Sequence, residues 1–147
     1  MAVRNILKDQ DETLRKISRP VAAIDARILE LAQDMIDTMK AADGVGLAAP
    51  QVGILRRMVV IDVGQGPMVL INPELVRKSG KQITSEACLS LPGLRCDVQR
   101  PMKVTVSGVD LEGMGVTYTG NGLFARAVCH EIDHLNGILF IDHAQKS

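Results

Sequence analysis

The five residues His130-Glu131-Ile132-Asp133-His134 constrain this chain more than any other stretch. On a helix they set two imidazoles one turn apart on one face with a carboxylate beside them, the H-E-x-x-H pattern of metal sites. A helix that carries metal ligands must turn that face inward against other elements, so the pattern dictates a packed domain with its site where helix meets strands. It also indicates metal-dependent hydrolysis, since neutral imidazoles bind a divalent ion and a neighbouring glutamate can move protons.

The 147 residues fit one compact domain spanning 1–147. Seventeen basic residues balance seventeen acidic ones, and one Tyr, two Phe and no Trp leave no stacking platform, which argues against nucleic-acid binding. No apolar run approaches the length needed to span a bilayer, and the first residues carry no leader pattern, so no membrane partner is expected. Three irregularly spaced cysteines, Cys88, Cys96 and Cys129, fit a reducing compartment. A cytoplasmic location follows as an expectation.

Apolar spacing at Ile28, Leu31, Met35 and Met39 predicts an N-terminal amphipathic helix from Asp25 as N-cap to a stop at Gly44. Residues 57–63 and 68–71 flank Gly64-Gln65-Gly66-Pro67 and predict a hairpin, with Asn72-Pro73 ending its second strand. Strands over 103–107 and 116–119 predict that the middle of the chain is largely antiparallel sheet, solvated on one face. Asn121 is the expected cap of a last helix that ends at Gly137, with Leu123, Ala127, His130 and His134 on one face. The fold class is α+β, with antiparallel sheets packed around a C-terminal metal-binding helix.

Two histidines leave a hydrolytic site one protein ligand short. Cys129 and Asp133 each precede a motif histidine by one residue, about 100° round the helix, and so point elsewhere. His143 lies in a polar tail. The choice narrows to Glu86-Ala87-Cys88-Leu89-Ser90, with Cys96 as a rival that composition alone does not separate from Cys88. The stretch Gly44-x-Gly46-x-x-Ala49 formally matches a dinucleotide fingerprint, but it follows a helix instead of a strand and runs into Pro50, so it reads as a loop.

Three stretches, Gly44-Val45-Gly46-Leu47-Ala48-Ala49-Pro50-Gln51, Glu86-Ala87-Cys88-Leu89-Ser90 and Cys129-His130-Glu131-Ile132-Asp133-His134-Leu135, resemble the signature motifs of the peptide deformylases, in that family's order. The likeness continues through Ile71-Asn72-Pro73 and Gly137-Ile138-Leu139-Phe140. It implies removal of formyl from the N-terminal formylmethionine of new polypeptides, with Cys88, His130 and His134 as ligands. It further implies Glu131 as general acid and base, and Gln51 with the Leu89 backbone N–H as oxyanion donors. The metal implied is one divalent ion, Fe(II) in vivo, with Zn, Ni or Co able to replace it. The peptide would lie along Val45, Gly46 and Ala87, with its first side chain against Leu123, Arg126 and Ala127.

Three residues depart from the family pattern: Ala87 stands for a usual Gly, Cys129 for a usual Gln, and Arg126 for a usual apolar residue. Arg126 is expected either to polarise the side-chain pocket and weaken the methionine preference, or to lay its stem along the pocket wall with its guanidinium in water. The chain stops soon after Asp142-His143, where many bacterial members continue into a charged ribosome-docking helix, so only transient ribosome proximity by a monomer is expected. Two other readings are a zinc endopeptidase using His143 as third ligand and a paralogue that binds N-acylated peptide ends with altered specificity or without turnover.

Overall fold

The computed structural model describes residues 2–144. Helix α1 covers Ala26–Ala41, and its N-cap Asp25 accepts a hydrogen bond from the Ile28 amide as the sequence predicts. Its end is set one residue earlier than expected, because Asp43 takes the left-handed conformation (φ 56°) before Gly44 is reached. Strand β1 (Gly46–Ala48) follows, then a 3-10 turn over Ala49–Val52 that carries Gln51.

Strand β2 (Met58–Ile61) and β3 (Met68–Ser79) form the anticipated hairpin, with Ile61 opposite Met68. Asn72-Pro73 does not end β3, as expected from the proline, because a register shift between Ile71 and Glu74 absorbs Pro73. Asn72 sits there at φ 51°, and its side-chain amide exchanges hydrogen bonds with the Val21 backbone at 2.8 and 3.0 Å. Strands β4 (Gln82–Cys88) and β5 (Leu91–Arg100) form a hairpin that periodicity did not reveal, and β6 (Lys103–Val109) pairs with β7 (Gly115–Asn121).

The strands make an antiparallel five-stranded sheet ordered β1-β2-β3-β6-β7 and a separate two-stranded sheet of β4 and β5. Helix α2 (Leu123–Leu135) starts from Gly122 at φ 60°, which corrects the expected Asn121 cap: Asn121 is the last residue of β7, and no side chain caps the helix. At its other end Gly137 (φ 73°) turns the chain, and a Cβ there would lie 2.4 Å from the Arg15 carbonyl oxygen.

The expectation that the sheet is solvated on one face fails at β2. β2 is buried on both sides, with Met58 and Val60 packed toward Leu31, Met35 and Met39 of α1 and Val59 and Ile61 toward Val128, Ile132 and Leu135 of α2. Only β6 and β7 keep the solvated alternation. A third apolar cluster, Leu14, Leu91, Val98, Leu139 and Phe140, seats the β4–β5 hairpin beside α2. The sheet thus fixes β1 against the inward face of α2, and the hairpin brings Cys88 to the same place.

Candidate metal centre and its chemistry

Cys88 ends β4, while His130 and His134 stand one turn apart on α2. One donor atom from each lies within 4.8 Å of the others, and Cys88 Sγ is 3.3 Å from His134 Nε2. A tetrahedral ion with bonds of about 2.0 Å to nitrogen and 2.3 Å to sulfur would hold its donors about 3.3–3.5 Å apart. The thiol and two imidazoles therefore fit a divalent transition metal. His130 Nδ1 lies 2.9 Å from Glu86 Oε1, which leaves Nε2 to face the centre, the orientation such a carboxylate imposes on a ligating imidazole.

Glu86 is nearly fully buried and forms a two-pronged pair with Arg100, at 2.8 and 3.0 Å. Burial pushes its carboxyl up, but His130 and Arg100 outweigh burial and hold it down at about 2. Burial lowers the affinity of His130 for its proton, yet the Cys88 sulfur and the Glu86 carboxylate reverse the sign and raise it well above the usual histidine range. Burial, joined by the charge of His130, drives His134 far down, so it is a neutral imidazole. Arg100 also donates to Asp133 at 2.7 Å, and Asp133 lies 3.0 Å from His143 Nε2. His143 is thereby held on the outer side of α2 and is not brought among the three donors.

Glu131 is buried, and its Oε1 has no hydrogen-bond partner among the described residues. Burial, only partly offset by His130, raises its carboxyl to about 7, where it can both take and give a proton near neutrality. A buried carboxylate oxygen without a partner fits a water or substrate atom beside it. β1 runs so close that a Cβ on Gly46 would be 2.5 Å from Glu131 Oε2. Gln51 is equally buried: its Oε1 accepts from the Ala48 amide at 2.9 Å, while Nε2 donates to Ser90 Oγ at 3.1 Å and approaches Cys88 Sγ at 3.6 Å. Its side-chain donors are thus turned toward the centre by a fixed carbonyl.

A cavity of about 510 Å³ opens beside these groups. Its lining brings together all the expected substrate contacts, Val45, Gly46, Ala87, Leu123, Arg126 and Ala127, along with Gln51, Leu89 and Glu131. Cys129 instead packs into the core between α2 and the sheet, where burial holds its thiol up at about 11. Cys96 lies opposite Glu86 on β5 and does not join the donor cluster. The residues sequence reasoning missed are Glu86's partner Arg100 and the anchors Gln82, Thr84 and Ser90, all on a hairpin whose pairing was not foreseen. Glu86 itself was weighed only as a ligand.

The model of the polypeptide deformylases matches residues 3–147. The chain belongs to that family. It is 55% identical over 147 residues to peptide deformylase 1 of Clostridium acetobutylicum, covering 100% of this chain and 98% of the relative. The peptide deformylase of Alkaliphilus metalliredigens is 58% identical over 142 residues, 97% of each chain. The crystal structure of peptide deformylase from Thermotoga maritima superposes with a TM-score of 0.97 at 39% identity, covering 99% of this chain and 100% of that one. Deformylases are metal-dependent hydrolases with this α+β architecture, and Cys88, His130 and His134 form a group that could hold a metal ion. Among the described residues, no helix is long and apolar enough to cross a membrane.

Proposed function

We propose that this chain hydrolyses the N-formyl group of the N-terminal formylmethionine of new polypeptides, yielding formate and a free amino terminus. The observation that carries the reading is the convergence of Cys88, His130 and His134 beside a buried Glu131 whose Oε1 has no hydrogen-bond partner among the described residues, in a chain of the deformylase family. Cys88, His130 and His134 would hold one divalent ion, Fe(II) in the cell and Zn, Ni or Co in its place. Bound there, the metal supplies a Lewis acid that makes water acidic enough to attack near neutral pH.

Every other contribution comes from the chain. The peptide main chain would pair with Val45, Gly46 and Ala87 as an added strand, which holds the formyl carbon at a fixed approach to Glu131. Glu131 accepts the proton of the attacking water and returns it to the departing amine. As the formyl carbon becomes tetrahedral, negative charge grows on its oxygen. The Gln51 amide and the Leu89 backbone N–H would stabilise that charge more than they stabilise the planar substrate. Leu123, Arg126 and Ala127 border the cavity for the methionine side chain. The enzyme would act as a single-domain cytoplasmic monomer on nascent ends close to the ribosome.

Anaerobic formate release from formyl-Met-Ala-Ser by Fe(II)- or Ni(II)-loaded protein tests this function. Turnover is expected, with no cleavage of an unformylated protein substrate. Well-loaded protein that binds the formyl peptide without releasing formate would overturn it.

A further inference from the structure

Arg126 borders the cavity from α2, and its guanidinium finds its partners on β4. Its guanidinium is largely buried. Nη2 donates to Gln82 Oε1 and to Thr84 Oγ1, both on β4, and Nη1 lies 3.7 Å from Glu86 Oε2 on the same strand. Nη1 is buried without a hydrogen-bond partner among the described residues. The charge is therefore turned onto the strand, while the aliphatic stem is left to border the cavity.

β4 meets α2 through side chains. Its backbone pairs with β5 alone, and that hairpin shares no strand pairing with the five-stranded sheet. The contacts that join β4 to α2 include Cys88 to His134 at the donor cluster, Glu86 to His130, Arg126 to Gln82 and Thr84, and Gln82 Nε2 to the Gly122 carbonyl oxygen at the start of α2, at 2.9 Å. Gln82 Nε2 also reaches the Pro101 carbonyl oxygen at 2.9 Å, so the acceptor that Gln82 presents to Arg126 is itself fixed. The cavity lies between these two elements, with Thr84, Glu86 and Ala87 on one wall and Leu123, Arg126 and Ala127 on the other.

We propose that Arg126 is a positioning residue that sets the gap between β4 and α2, and with it the size of side chain the deformylase site selects. The planar fork suits this use, because one guanidinium can hold several acceptors in fixed directions where an ammonium or an apolar side chain cannot. The proposal rests on the deformylase reading for its substrate. It differs from direct recognition, since no atom of the guanidinium needs to touch the peptide.

Arg126→Met keeps an apolar stem of similar length and removes the fork. The KM for formyl-Met-Ala-Ser should rise about tenfold while kcat falls by less, since small misplacements of bound substrate cost that much or more. The preference for formyl-Met over the bulkier formyl-Phe peptide should fall about tenfold, within the range that pocket size confers. Gln82→Leu/Thr84→Val removes the acceptors from the other side and should give at least that loss, because Gln82 also gives up its bonds to the Pro101 and Gly122 carbonyl oxygens. Adding Arg126→Met to it should cost little more, the non-additivity expected of one shared contact. Arg126→Lys should recover only part of the preference.

Calorimetric affinity for the product tripeptide Met-Ala-Ser, at unchanged metal content, gives a readout independent of turnover and should also fall. An unaltered Met-to-Phe preference in Arg126→Met, or losses from the two sides that multiply, would overturn the proposal. Absence of formate release by the unaltered protein would instead sink the deformylase reading, and the peptide affinities would still report on the clamp.

Discussion

Glu131 differs from an ordinary helix glutamate in two ways, its burial and the absence of a partner for Oε1. Burial raises its affinity for a proton into the range where acid–base work is done. Glu131→Gln keeps the shape and loses the base, so kcat should fall about 10²–10⁴-fold while bound metal is retained, as formate release and metal content would show. A fall of less than tenfold would remove Glu131 from the proton path. Glu86 acts one bond further out. Replacing it by Gln should weaken metal affinity about 10–100-fold in chelator competition, because His130 loses the carboxylate that orients it. The motif made both histidines and the base legible in the sequence, whereas Arg100 was invisible there. Its bonds to Glu86 depend on the β4–β5 register, which sets Arg100 opposite Gln82 and which no local pattern encodes.

At the scale of elements, β1 and α2 approach so closely that glycine is required. A methyl group on Gly46 would meet Glu131 Oε2 at 2.5 Å, so Gly46→Ala must push the carboxylate aside or move β1 outward. Its kcat/KM should drop about tenfold or more, with little change in thermal midpoint, since the displaced group is the reactive one. Normal turnover would show that the strand gives way without cost. Helix α1 and both hairpins with Gly-containing turns could be read from the sequence, because their signals are local: a capping Asp25, a 3.6-residue apolar spacing and a glycine-rich turn. The β4–β5 hairpin could not, since Lys81-Gln82-Ile83-Thr84-Ser85-Glu86 is mostly polar and exposed and its inward residues serve the site instead of a core. The extension of β3 past Pro73 was hidden for another reason: it depends on Asn72 reaching Val21, a contact from far along the chain.

Across the whole molecule, a polar network that is buried at Glu86 and Arg100 and reaches the surface at Asp133 and His143 joins the hairpin, α2 and the C-terminal turn. Glu86 holds its proton less tightly in the fold than in the open chain, where its value is 4.5. Its stabilising contribution is therefore complete above about pH 4.5 and is lost as pH falls toward about 2. Urea midpoints of metal-free protein should drop through that window, and Glu86→Gln should flatten the drop. An equally steep profile in the variant would place the acid sensitivity elsewhere.

The measurement that bears most directly on the account is the absorption spectrum of protein loaded anaerobically with one equivalent of Co(II). Thiolate coordination gives a near-ultraviolet charge-transfer band, and the geometry predicts that Cys88→Ser abolishes it while Cys96→Ser and Cys129→Ser leave it intact, with one ion bound per chain. A band that survives Cys88→Ser, or one that disappears with Cys96, would contradict the centre assembled from Cys88, His130 and His134.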